Sequence, residues 1–456
     1  MKILLAYEHI RRLSGTHGEW ITSIGRQLAQ RGHDIHLLCD SVADASLYPE
    51  ITFHSRRPFV RGESHRLIAL HVWAKKQLRE INHDISISFH TAIPAQIIIP
   101  IQGWVQTRLQ REHRLHHNSL WTACLHTYPP VIERKFIESL IRKNHAANRH
   151  FVATSTIMRN ALLERYPALR NRMHLIPGAS SIEPPLPPDH PAPPEYLDSI
   201  RSETRRLLHI NENDIAFLWG SKRAGWHGAR FLIEAFAKMV TSTDKQNHAR
   251  LILASEGQYT LHNRARKAGI ADRVRIVGRT DHFNQLLAAC DITVNPAILS
   301  HLGRFTWESL AFAKPVIASA DTPGIERMRH PDQRLAGRIV QSYDTTTLRN
   351  ALIELMDPSC RQNATRLARE IAPTMRFNQF IDRIEQVCKD FPNITDNNPT
   401  INNTISPKQP QQQNQSTPLP FKSISAAADS TTAETPTPDE LITVSIPSSQ
   451  QRNPDP

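Results

Sequence analysis

The residues best suited to chemistry sit in short polar loops that each follow an apolar run. The loop GSKRAGWHG sets Lys222 and Arg223 among Gly220, Gly225 and Gly228, and a helical pattern begins near Gly228. Glycines let a backbone approach a phosphate closely, a helix start offers amides to an anion, and cations neutralise its charge. Arg279 after VRIVG, and Arg304 beside Gly303 in HLGRF, put further cations at strand ends of the same half. Near the N terminus, Gly15 and Gly18 flank Thr16 and His17 after the first apolar run. His90 follows DISISF, where it can serve as a polar contact or proton acceptor. Glu308 stands in WESLAFAKPVIAS, where a first-turn position would let the helix dipole alone accommodate it. No DxD lies at a strand end, and no His, Cys and Asp cluster has ligand spacing, so no metal is expected.

Alternating elements must position these loops. KILLAYE reads as a buried strand, the Ile21, Ile24 and Leu28 spacing as a helix that RGHD ends, and IHLLCD as the next strand. DISISF (84–89) and HFVATS (150–155) extend the series. A second half repeats the pattern: IAFLWG, GARFLIEAFAKMV, RLILASEG, VRIVGR, HFNQLLAAC, DITVNPA, TWESLAFA and PVIASA alternate strand and helix. Such patterning predicts α/β architecture with two parallel, doubly wound, Rossmann-like sheets, and ligands on such sheets bind at the carboxyl ends of the strands. With two domains, that is the cleft between them. The expected boundaries are 1–180 for the first domain, 181–200 for a linker, 201–376 for the second domain, 377–392 for a closing helix and 393–456 for a tail. The linker holds seven prolines between Pro184 and Pro194, which favours an extended, semi-rigid connector. The tail is rich in Ser, Thr, Pro, Gln and Asn and is expected to be disordered.

Composition narrows the function. The 456 residues carry a net charge of +12. Residues 1–180 hold 24 Lys and Arg against 13 Asp and Glu, or +11, while 181–392 hold 28 against 24, or +4. An anionic partner should therefore dock on the first half. Five scattered cysteines without a CxxC pair encode neither a disulfide framework nor a zinc knuckle, and a reducing, cytoplasmic setting is the default. No stretch approaches the roughly 20 apolar residues of a spanning helix. Arg108, Arg111, Arg114, Arg134, Lys135, Arg142 and Lys143 interleave with Trp104, Leu109, Leu115, Trp121 and Phe136, a mixture that attracts anionic lipid headgroups and suggests peripheral membrane contact. Solvated helix faces would look the same. Nucleic acid is the less favoured partner, because no RNA-binding signature is present.

Taken in order, GTHGEWITSIGRQLAQRGHDIHLL, LWGSKRAGWHGARFLIEAF, LILASEG, VRIVGRTDHFNQLLAACDITVNPAILS and HLGRFTWESLAFAKPVIASADTPGIE resemble the family-four retaining glycosyltransferases of the GT-B fold. DISISFHTAIPAQ and the basic segment after it are similar to the lipopolysaccharide core glucosyltransferase branch. The resemblance implies a UDP- or GDP-sugar donor used as substrate, no separate cofactor, retention at the anomeric carbon, no obligatory metal, and a glycan or lipid-linked acceptor. It implies that Glu308 bonds the donor ribose, that the loop of Gly15 and Thr16 nears the donor phosphate and the acceptor, and that a Glu eight residues before Glu308 touches the sugar. That position is Ser300. A serine can bond a hydroxyl but supplies no carboxylate. In the family's phosphate grip an Arg and a Lys are expected where Ser221 and His227 stand; Lys222 and Arg223 keep positive charge displaced by one or two residues, and either Arg279 or Arg304 could compensate for Ser221. His90, Ser300 and Glu308 are thus the expected catalytic residues. Gly15, Thr16, Ser221, Lys222, Arg223, His227, Arg279, Gly303, Arg304 and Glu308 are the expected donor contacts. Two other classes stay open at this point: a noncatalytic relative that binds nucleotide or a partner, and a basic binder of nucleic acid or anionic surfaces.

Overall fold

The computed structural model describes residues 1–10, 17–56, 63–101, 139, 143, 149–182, 194–221, 228–242, 248–255, 257–278, 282–297, 303–396 and 443–444. In chain order the strands of the first half are β1 (Lys2–Ala6), β2 (His9–Ile10), β3 (Asp34–Cys39), β4 (Ser41–Val42), β5 (Ile51–Ser55), β6 (Ile85–Ser88), β7 (Ile97–Ile98), β8 (His150–Ala153) and β9 (Met173–Leu175). Its helices are α1 (His17–Gln30), α2 (Glu63–Glu80) and α3 (Thr156–Arg165). The second half contributes strands β10 (Ile215–Gly220), β11 (Ala249–Ala254), β12 (Val274–Val277), β13 (Ile292–Asn295), β14 (Val316–Ser319) and β15 (Gly337–Val340). Its helices are α4 (Pro194–Leu207), α5 (Ala229–Val240), α6 (Gln258–Lys267), α7 (Phe283–Ala289), α8 (Arg304–Ala311), α9 (Thr345–Met356) and α10 (Pro358–Ile371). Helix α11 (Phe377–Asp396) closes the fold.

The first sheet runs β5-β3-β1-β6-β7-β8-β9 with every pairing parallel. Registers such as Leu5↔Leu37 and Leu5↔Ile87 keep apolar side chains level across its centre. The second runs β15-β14-β13-β10-β11-β12, also parallel, with Thr443–Val444 alongside β12 as a short strand, β16. Central strands such as KILLA and RLILA are nearly continuous apolar runs because helices cover both faces of a parallel sheet. In each sheet the winding reverses once, between β1 and β6 and between β10 and β13. Those two switch points are where the sheets leave crevices at their carboxyl ends.

Three boundaries differ from expectation. The linker was expected to reach residue 200, yet α4 begins at Pro194. Proline is accepted in the first turn of a helix, where its missing N–H is not needed. Farther along, the Arg201 and Arg205 guanidiniums clamp the two oxygens of Asp291 at 2.6 Å each, fixing α4 to the start of β13. Residues 183–193 lie outside the described residues. The closing helix continues to Asp396, and Thr443–Val444 pair with Ile276 and Val277 within the stretch read as tail. The rest of that stretch lies outside the described residues.

The closing helix returns to the first domain. Phe380 packs on Trp20 of α1 with ring centroids 5.1 Å apart, and Phe377 and Phe89 meet the same indole. One apolar core therefore runs from Ile3, Leu5 and Trp20 through Phe377, Phe380 and Ile384 to Trp307 and Val316 of the second domain.

At the β8–β9 edge of the first sheet, His150 and His174 stack with Nδ1 and Nε2 2.9 Å apart, and Phe391 of α11 covers His150 edge-on. Burial, then the neighbouring ring, pushes His150 down to about 4, and burial lowers His174. The stability they contribute is complete above the unfolded value near 6.5, because both forms are then neutral, and it is lost as pH falls from there toward 4. Denaturant unfolding at pH 5 should accordingly show about 1–2 kcal/mol less stability than at pH 7.5 from this pair. His150→Phe should flatten that difference; an unchanged pH slope would refute the assignment.

Candidate active-site cleft

On the first-domain side, β1 delivers Tyr7 and Glu8, and β6 delivers His90, to the same switch point. The His90 ring is buried, and its protonation pattern follows from its neighbours. The Ala92 amide donates to Nδ1 at 3.0 Å, so Nδ1 is the acceptor nitrogen. Nε2 then carries the proton and faces the Glu8 carboxylate at 3.3 Å. Ser88 Oγ donates to the His90 carbonyl at 2.7 Å and accepts from the His90 amide, which fixes the turn itself. His17, the first residue of α1, lies 3.5 Å from the Tyr7 hydroxyl through Nδ1.

On the second-domain side, the sheet ends are shaped by three glycines. A Cβ at Gly220 would fall 2.6 Å from the Phe283 ring, so the end of β10 can approach this ring of α7 so closely only because it carries no side chain. Gly228 has φ of +77° and lies against the Pro296 carbonyl at the end of β13. Gly303 has φ of +72° and lies against the Pro323 carbonyl, so helix α8 starts beside the end of β14. The Asn295 side-chain Nδ2 donates to Thr306 Oγ1 at 3.1 Å, tying α8 to β13 as well.

Helix α8 carries the charged pair. Arg304 is its first residue and Glu308 its fifth, and the Arg304 Nη2 donates to Glu308 Oε1 at 2.7 Å. Both residues are buried, Glu308 at 4% exposure, so this is a charge pair shielded from water rather than a solvated surface bridge. Glu308 lies past the first turn, which removes the helix dipole as the explanation for its presence. The same Nη2 lies 3.9 Å from Glu19 Oε2 on α1, so a carboxylate from each domain faces one guanidinium.

Among the expected site residues the structure therefore places His90 in the first-domain crevice and Ser221, Gly303, Arg304 and Glu308 at the second. The Ser221 amide donates to the Ala254 carbonyl at 2.9 Å. Gly15, Thr16, Lys222, Arg223, His227, Arg279 and Ser300 lie outside the described residues, as does the basic segment except Lys143, which is exposed. Glu8 and Glu19 were not anticipated. Glu8 could have been found as the first charge after the run KILLAY, and Glu19 as an acid opening an otherwise apolar helix face. Among the described residues no group of three or more His, Cys, Asp or Glu could hold a metal ion, and no helix is long and apolar enough to cross a membrane.

Two parallel, doubly wound sheets with facing crevices and a C-terminal helix returning to the first domain define the GT-B architecture. Residues 18–183 match the model described as Glycosyltransferase Family 4, and residues 214–358 match Glycosyl transferases group 1. The chain belongs to the family-four glycosyltransferases and is a transferase. It is 23% identical over 380 residues to N-acetyl-alpha-D-glucosaminyl L-malate synthase of Bacillus anthracis, covering 81% of this chain and 92% of that protein. Its fold is similar to that of WaaG, a glycosyltransferase involved in lipopolysaccharide biosynthesis, with a TM-score of 0.69, 15% identity, and coverage of 85% of this chain and 99% of WaaG. Anabaena HepE, solved in complex with UDP and glucose, aligns with a TM-score of 0.62 and 17% identity over 86% of this chain and 100% of HepE.

Proposed function

We propose that this glycosyltransferase moves a hexose from a UDP- or GDP-sugar onto a glycan or lipid-linked acceptor, with retention and without a metal or separate cofactor. The observation that carries the reading is the buried Arg304–Glu308 pair at the switch point of the second sheet. A fixed carboxylate there suits the vicinal hydroxyls of a ribose, and the adjoining guanidinium suits a diphosphate. On the opposite sheet His90 uses Nδ1 toward the Ala92 amide and Nε2 toward the Glu8 carboxylate, which suits it to holding Glu8 in place on that side of the cleft. In the reaction the bond from the anomeric carbon to the diphosphate oxygen breaks. A bond to the acceptor oxygen forms on the same face, and the acceptor proton leaves with the diphosphate. Cations on the departing diphosphate stabilise the charge that develops. HepE, with UDP and glucose bound, supports the donor class, and WaaG supports a cell-surface glycan as acceptor. The curated relative's name points to L-malate, so a small hydroxy acid is the acceptor to test alongside. The basic first half suits a protein working in the cytoplasm at an anionic membrane face.

A thermal-shift screen of the full chain against UDP, GDP, ADP and their common sugar conjugates tests the donor. A ligand at 100 times its Kd adds about 2.7 kcal/mol, a rise of a few degrees. One sugar nucleotide should give that rise and Glu308→Ala should lose it. No rise with any nucleotide at millimolar concentration would put the noncatalytic reading first.

A further inference from the structure

We propose that Glu19 is a positioning residue whose bridge to Arg304 couples donor binding to closure of the two domains. This rests on the reading of Glu308 as the ribose contact. Arg304 belongs to the second domain and Glu19 to the first, and one amino group, Nη2, meets both Glu19 Oε2 at 3.9 Å and Glu308 Oε1 at 2.7 Å. The two carboxylates thus lie no farther apart than the sum of those contacts, across the domain boundary.

A shared guanidinium makes the state of Glu308 depend on the domain angle. With the domains apart, Arg304 loses Glu19 and gives more of its charge to Glu308, taking up the hydrogen-bonding capacity of that carboxylate. With the domains together, Glu19 takes part of that charge, and Glu308 has more capacity for hydroxyl donors. Closure then raises donor affinity, and by linkage the donor must favour closure equally. The neighbouring residue makes this coupling mechanical as well. Trp307 sits against Gly178 on the crossover between domains and against Gly324, so a rotation at the crossover is felt one residue away from both Arg304 and Glu308. The contact is also poised for adjustment: the Arg304 side chain is 8% exposed and that of Glu19 28%, so one end is fixed and the other reaches in from the rim.

The bridge explains how a chain with Ser at 221 and 300 keeps a charged cleft. The first domain contributes a carboxylate that the second domain's loop does not carry. Salt screens a charge pair of this kind, so the coupling should weaken as ionic strength rises.

The test uses the full chain, wild type, Glu19→Gln, Arg304→Met and the double variant, with UDP, GDP and their glucose conjugates as probes. Small-angle scattering reads the domain angle and calorimetry the affinity. Glu19→Gln should expand the ligand-free chain, weaken the bound nucleotide sugar about five- to tenfold, and reduce the salt dependence of binding. The double variant should bind no more weakly than Arg304→Met, because the two residues act through one contact. Unchanged dimensions and affinity in Glu19→Gln, or additive losses in the double variant, would overturn the bridge. If the wild type binds no nucleotide, the donor reading fails by itself. The ligand-free scattering still decides the bridge, with equal radii of wild type and Glu19→Gln refuting it.

Discussion

Glu308→Gln should lower sugar transfer by about 100-fold or more in kcat/KM while the chain still folds. The substitution keeps the shape of the side chain and removes its charge. Two losses combine. A hydrogen bond to a charged group contributes about 1.5–3 kcal/mol, and a ribose held by Glu308 would forfeit most of that. In addition, Arg304 keeps its charge in a buried position after its near partner has become neutral. Breaking such a pair from one side costs about 3–5 kcal/mol when burial is complete, so a drop of several degrees in Tm is expected as well. These effects are separable. Replacing both partners, Arg304→Met with Glu308→Met, removes that buried charge as well and should restore much of the stability without restoring transfer. Steady-state kinetics and thermal unfolding of the wild type and the two variants decide the matter. If Glu308→Gln kept more than a tenth of wild-type kcat/KM, Glu308 would be no more than the counter-charge of Arg304.

The strands that carry the site were legible because each is a short apolar or alternating run rich in β-branched or aromatic residues and followed by a polar loop. KILLA, DISIS, IAFLWG, RLILA and DITVN all lie where their patterns place them. Strands β7 and β9 were not legible, since two or three residues such as Ile97–Ile98 cannot show a period. Among the site residues, Arg304 could be picked out as a cation beside a loop glycine and Glu308 through the family resemblance. Their partnership could not, because the string TWESLAFA reads as a helix that begins at Thr306. The left-handed Gly303 instead starts α8 at Arg304, and only then do the two stand four residues apart on one face. Glu8 and Glu19 needed tertiary information of another kind. Glu8 matters because β1 is neighbour to β6, a pairing across more than seventy residues of chain, and Glu19 because α1 faces a helix of the other domain.

Gly178→Ala should destabilise the chain by about 3 kcal/mol and reduce transfer, although residue 178 holds no polar group toward the cleft. An added Cβ would fall 1.9 Å from Trp307 Cη2, 2.2 Å from Cζ3 and 2.3 Å from Cζ2. The indole cannot retreat. It is wholly buried, and on another side a Cβ at Gly324 would lie 2.2 Å from Nε1, so two glycines hold the ring between them. Nor can the crossover move away without loss, because the Gly178 amide donates to the Thr154 carbonyl at 3.0 Å and the Ser180 amide to the Met375 carbonyl. The strain must therefore pass into α8, where Trp307 precedes Glu308. A shift of about 1 Å at a positioned group can reduce a rate by 100-fold, so the activity loss should exceed what the fraction unfolded explains. Trp307→Phe supplies the check. It removes the outer part of the ring that the new methyl would meet, and Nε1 has no hydrogen-bond partner among the described residues, so little polar contact is lost. Alone it should destabilise by leaving a cavity. Combined with Gly178→Ala it should be milder than the sum of the two, with an interaction of at least about 1 kcal/mol in denaturant unfolding. Strict additivity would mean that the crossover and the Trp307 ring do not bear on each other, and that the path from the hinge to Glu308 runs elsewhere.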